Sequence, residues 1–82
     1  SRTVKLNDEV IELTSKEFDL LVFFAKNKDR ALSREQVLNY VWGENYFGTD
    51  RAVDDLIRRL RKKLPLLNVE TIYGYGYRVM DS

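Results

Sequence analysis

The chain has 82 residues, a formal net charge of +1, and neither His nor Cys. Its length suits a single small domain, 1–82, that buries about 60% of its unfolded surface and has no room for a deep pocket. Disulfides, imidazole catalysis and Cys- or His-based zinc sites are excluded. With no carboxylates at metal-ligand spacing and no catalytic pair, the chain reads as a non-enzyme that needs neither metal nor cofactor. No apolar run approaches the roughly 18 residues that span a bilayer, and no signal peptide is visible. The expected compartment is therefore the cytoplasm, with no membrane partner. The chain opens Ser1-Arg2 rather than with Met, so it reads as a piece of a longer protein.

Short apolar pieces, Val4-Lys5-Leu6 and Val10-Ile11-Glu12-Leu13, flank Asn7-Asp8-Glu9 and predict a β-hairpin. Thr14-Ser15-Lys16-Glu17 then has the form of a capping box that opens a helix. That helix runs through Phe18–Ala25, is apolar nearly all round, and should be buried against more than one neighbour. Ser33-Arg34-Glu35-Gln36 is a second capping box, followed by Val37, Leu38, Val41 and Trp42 at helical spacing and by Gly43 as a terminator. Glu44-Asn45-Tyr46-Phe47-Gly48 reads as a loop. A third helix starts at Thr49 or Asp50 and must stop at Leu64, before Pro65. Val53, Leu56, Ile57, Leu60 and Leu64 fall within about 100° of one another on a helical wheel, the width of a core-facing stripe. Arg51, Asp55, Arg58, Arg59 and Lys62 fall on the opposite side. Asp54 with Arg58, and Asp55 with Arg59, stand at favourable i,i+4 spacing. Val69–Tyr73 and Tyr77–Met80 flank Gly74-Tyr75-Gly76 and predict a second hairpin, about 69–80.

Charge is distributed unevenly. Residues 51–63 hold Arg51, Arg58, Arg59, Arg61, Lys62 and Lys63 against Asp54 and Asp55, while the remainder of the chain is net acidic. A basic, amphipathic third helix beside a hairpin fits a DNA-reading device: the helix enters the major groove and Arg pairs bidentately with guanine. A solvated, salt-bridged face explains the same charges about equally well.

Longer motifs carry a resemblance. Glu12-Leu13-Thr14 with Glu17-Phe18 and Leu20-Leu21, Ser33-Arg34-Glu35-Gln36, and Val41-Trp42-Gly43 resemble signatures of one family. So do Arg51, Val53-Asp54, Ile57 with Arg59–Leu64, and Glu70-Thr71-Ile72 with Gly74 and Gly76-Tyr77-Arg78. From Val10 to Val79 the chain is similar to the C-terminal effector domain of OmpR/PhoB-family two-component response regulators. The resemblance implies an α+β winged helix-turn-helix, with N-terminal antiparallel strands, three helices and a C-terminal hairpin wing. The N-terminal sheet of the family usually has four strands, and here about two are present. It implies sequence-specific binding to double-stranded DNA, on direct repeats, for transcriptional regulation. The partners implied are a receiver domain in cis, phosphorylated by a sensor histidine kinase in a phosphorelay, and RNA polymerase. Without DNA the piece itself is expected to be monomeric.

Position by position, the resemblance makes the helix at about 50–64 the recognition helix. It makes Arg58 and Arg59 base readers and gives DNA-backbone contacts to Arg51, Arg61, Lys62, Trp42, Thr71 and Tyr73. On the wheel Arg61 lies off the exposed face and could instead pair with Asp54. Tyr73 stands where some members have a minor-groove Arg, so it offers stacking on a sugar rather than charge. Asp55 either accepts from cytosine or orients Arg59. Glu44, Asn45, Tyr46 and Phe47 form the loop that faces polymerase, or else Tyr46 and Phe47 pack beneath it. A protein-interaction winged helix with weak or no DNA binding is the competing reading.

Overall fold

The structure is a computed structural model that describes residues 2–80. Its elements run β1 (Thr3–Leu6), β2 (Glu9–Glu12), α1 (Ser15–Lys26), β3 (Leu32–Ser33), α2 (Arg34–Trp42), α3 (Arg51–Lys63), β4 (Val69–Ile72) and β5 (Gly76–Val79). The expected hairpin–three helices–hairpin order is present, with an added strand, β3, that no local pattern announced.

β1 and β2 pair antiparallel through a two-residue turn, Asn7-Asp8. Both turn residues have positive φ, 51° and 68°, as a type I′ turn requires and as Asn and Asp tolerate well. Both capping boxes form. Thr14 Oγ1 accepts from the Glu17 N–H while Glu17 Oε1 accepts from the Thr14 N–H. Ser33 and Gln36 exchange the same two bonds. α3 has no side-chain cap at Asp50.

The core lies where the helices meet. Leu20 and Phe24 of α1, Val37, Leu38 and Val41 of α2, and the whole Val53, Leu56, Ile57, Leu60, Leu64 stripe are buried. α1 touches α2, α3 and β5, which accounts for its nearly all-round apolar surface. Phe24 and Tyr77 are core as expected, whereas Phe18, Leu21, Val22 and Trp42 are only half-buried.

β3, β5 and β4 form a three-stranded antiparallel sheet in that order. β5 is therefore the middle strand, with Leu32 opposite Tyr77 and Ser33 opposite Gly76. Among the described residues the N-terminal strands are a separate two-stranded sheet. The wing turn is Tyr73-Gly74-Tyr75, where Gly74 supplies a φ of 77°. Gly76 is a strand residue rather than a turn residue: a Cβ there would collide with the Leu32 carbonyl oxygen.

Candidate nucleic-acid interface

α3 presents three faces. One is the buried stripe. Opposite it, Arg51, Asp55, Arg58, Arg59 and Lys62 are exposed. The basic ridge thus stands in solvent, with the Arg58 side chain 75% exposed. Asp55 pairs with Arg58 at 3.2 Å, an i,i+3 contact, instead of the expected Arg59. At this exposure the pair is worth little and leaves the Arg58 guanidinium at the surface.

The α1 side of the ridge carries a cleft lined by Thr14, Ser15, Lys16, Trp42, Ala52, Leu56 and Arg59. The Lys16 ammonium lies 5.5 Å above the Trp42 ring, and Tyr46 stacks on the same Trp42 ring at 5.8 Å and 23°. Tyr46 therefore rests on α2, whereas Phe47 stands 96% exposed in the loop. Glu44 and Asn45 are also exposed. The structure thus brings Lys16, Trp42 and Arg59 together. Lys16 had no signal in the sequence beyond its place in a capping box.

The third face of α3 meets the wing. Asp54 is not paired with Arg58: its Oδ1 accepts from Arg34 Nε at 2.9 Å and from the Tyr77 hydroxyl at 2.5 Å. Burial pushes the Asp54 carboxyl up, but Tyr77 and Arg34 outweigh it and hold the group below its ordinary value of 3.8. The hydrogen bond to Asp54 raises the Arg34 guanidinium. Burial, then the Asp54 carboxylate, raises the Tyr77 hydroxyl. Arg61, expected to meet a phosphate or else Asp54, does not pair with Asp54. Its Nη2 donates to the Val69 carbonyl at 2.6 Å and to Thr71 Oγ1 at 2.9 Å. Thr71 is half-buried and accepts that bond, while Tyr73 at the wing tip is 92% exposed.

Lys63 also turns inward, donating to Glu17 Oε1 at 2.6 Å and to the Glu12 carbonyl at 3.0 Å. Glu17, the acidic member of the first capping box, is 2% exposed. Its partner is 46 residues away, beyond the reach of any local pattern.

Residues 8–79 match the sequence model of the family described as "Transcriptional regulatory protein, C terminal". The chain is 63% identical over 76 residues to the transcriptional regulatory protein CssR of Bacillus subtilis, covering 93% of this chain and 34% of that protein. It thus spans about a third of that relative's length. The crystal structure of the B. subtilis CssR DNA-binding domain superposes with a TM-score of 0.93 at 60% identity, covering 96% of this chain and 91% of that one. The Klebsiella pneumoniae RstA DNA-binding domain, solved in complex with the RstA box, gives a TM-score of 0.81 at 35% identity, covering 96% and 83%. With a winged helix whose third helix turns a basic ridge to solvent, the chain belongs to the OmpR/PhoB-type family of transcriptional regulatory C-terminal domains, the DNA-binding domains of response regulators.

Proposed function

We propose that this domain reads duplex DNA by laying α3 in the major groove with the β4–β5 wing on the adjacent backbone. The observation that carries the reading is the division of α3: an unbroken buried stripe on one face and Arg51, Arg58, Arg59 and Lys62 in solvent on the other. A groove-sized helix with exposed guanidinium groups has the donor geometry for guanine O6 and N7. Arg58 and Arg59 read bases, while Arg51 and Lys62 hold phosphates. Trp42, joined by Lys16, holds a phosphate on the α1 side, and Tyr73 stacks on a sugar beside the wing tip. Thr71 meets the backbone while keeping its bond from Arg61, since a hydroxyl can donate outward while it accepts.

The whole protein, by analogy with relatives about three times as long, carries a receiver domain in cis. Phosphorylation of that domain by a sensor histidine kinase assembles head-to-tail pairs on direct repeats. The Glu44–Phe47 loop, with Phe47 fully in solvent, meets RNA polymerase. The work is done where the chromosome is, in the cytoplasm.

The test is selection of random duplexes on the chain, followed by anisotropy titration of the winner. A direct-repeat motif should emerge. Arg58→Ala should lose about 1–3 kcal/mol and relax preference at one base pair. Selection of nothing, even by an artificially dimerised chain, would overturn the reading in favour of a protein-binding winged helix.

A further inference from the structure

Asp54 and Arg61 leave the same flank of α3 seven residues apart, about two turns or ~10.5 Å along the axis. They hold different strands of the wing. Asp54 grips β5 through the Tyr77 hydroxyl and at the same time grips the start of α2 through Arg34. Arg61 grips β4, through the Val69 carbonyl and the Thr71 hydroxyl. The Tyr77 ring lies between two guanidinium groups, 5.5 Å from that of Arg34 and 5.7 Å from that of Arg61. β5 is already held on one side by β3, so the grip of Arg61 on β4 fixes the outer strand of the wing as well as the middle one.

We propose that Arg61 and Asp54 are positioning residues that lock the wing to the recognition helix, so that helix and wing meet DNA as one rigid unit. The proposal rests on the DNA-reading function above and reassigns Arg61 from phosphate contact to clamp. Arg suits the task because its planar fork serves two acceptors while its face lies on an aromatic ring. A lysine ammonium keeps the charge but is a point donor. Arg61→Lys therefore separates the two roles: a phosphate contact survives it, and a clamp does not.

The experiment uses the duplex selected by the wild-type chain. Arg61→Lys should stay folded, lose five- to tenfold in affinity, and leave unchanged the slope of log affinity against log salt. Tyr73→Ala, which removes the wing-tip side chain, should cost affinity in the wild type but less than twofold in the Arg61→Lys background. Thr71→Val, which removes one acceptor, serves if Arg61→Lys does not fold: it should make the further cost of Tyr73→Ala less than twofold, which loss of a Thr71–backbone contact alone would not do. Wild-type affinity of Arg61→Lys, together with a slope about 0.9 smaller in magnitude for Arg61→Gln, would assign Arg61 to phosphate and overturn the clamp. A second readout needs no DNA and so separates failure of the clamp from failure of DNA reading. Residual dipolar couplings of α3 and of residues 69–79 in the free protein should fit one alignment tensor in the wild type but not in Arg61→Lys. A common tensor in both would overturn the proposal even if no duplex is ever selected.

Discussion

Glu17 performs two tasks with one oxygen. Oε1 returns the capping-box bond to the Thr14 N–H and receives the Lys63 ammonium that ties α3 to α1. Burial pushes its carboxyl up, but Lys63 and Thr14 outweigh burial and hold it below its ordinary value of 4.5. A carboxyl depressed in the folded state contributes stability that is complete above its unfolded value and is lost as pH falls through the folded one. Asp54, below its ordinary 3.8 for an analogous reason, adds to the same acid limb. Thermal stability should therefore be flat from neutral pH to about pH 5 and fall below it. Glu17→Gln should lower stability at neutral pH by about 1–3 kcal/mol and make the acid limb shallower. Calorimetry across that range checks this, and an acid limb identical to that of the wild type would refute it.

Among the elements, the wing is the most composite: its sheet draws on β3, β4 and β5, and its stiffness draws on α3. Its two glycines differ in kind. Gly74 has a φ of 77° with open space about it, so Gly74→Ala should cost about 1–2 kcal/mol of left-handed strain. Gly76 faces the Leu32 carbonyl, and backbone cannot swing aside as a side chain would. Gly76→Ala should cost more than Gly74→Ala and should expose the Leu32 and Tyr77 amides to hydrogen exchange. Equal costs by denaturant titration would show that β3 yields freely. Elements set by nearby residues were legible: both capping boxes, the Asn7-Asp8 turn, the α3 stripe and its stop before Pro65. β3 was not legible, because two residues carry no periodicity and exist as a strand only once β5 arrives, with Leu32 opposite Tyr77 and Ser33 opposite Gly76. Asp55 took Arg58 on the same helix, one place short of the expected Arg59, whereas the Asp54–Arg58 pair failed for a reason related to that of β3. Helical spacing identifies neighbours on one helix, but Arg34 and Tyr77 reach Asp54 from other elements. The exposed ridge was legible from the wheel, whereas Lys16 joins it only because α1 packs beside α2.

For the molecule as a whole, counting cations overstates the field that DNA would meet. Of the six basic residues in 51–63, Arg61 and Lys63 are committed to internal partners, and Lys16 enters from another helix. Lys62→Gln should reduce the magnitude of the salt slope by about 0.9, the share of one phosphate contact. Lys63→Gln should leave the slope unchanged and lower the melting temperature instead. Anisotropy titrations at several salt concentrations, with a melt for each variant, check both, and a shallower slope for Lys63→Gln would return that residue to the interface. The three-faced α3 has a further consequence, for inheritance rather than for binding. Core and clamp positions occupy two faces, so Arg51, Asp55, Arg58, Arg59 and Lys62 stand exposed, outside both the buried stripe and the Asp54–Arg61 flank. On the DNA-reading function proposed above, substitutions there retarget the domain to a new operator at little cost in stability, so lineages of this fold change their regulons while keeping the same scaffold.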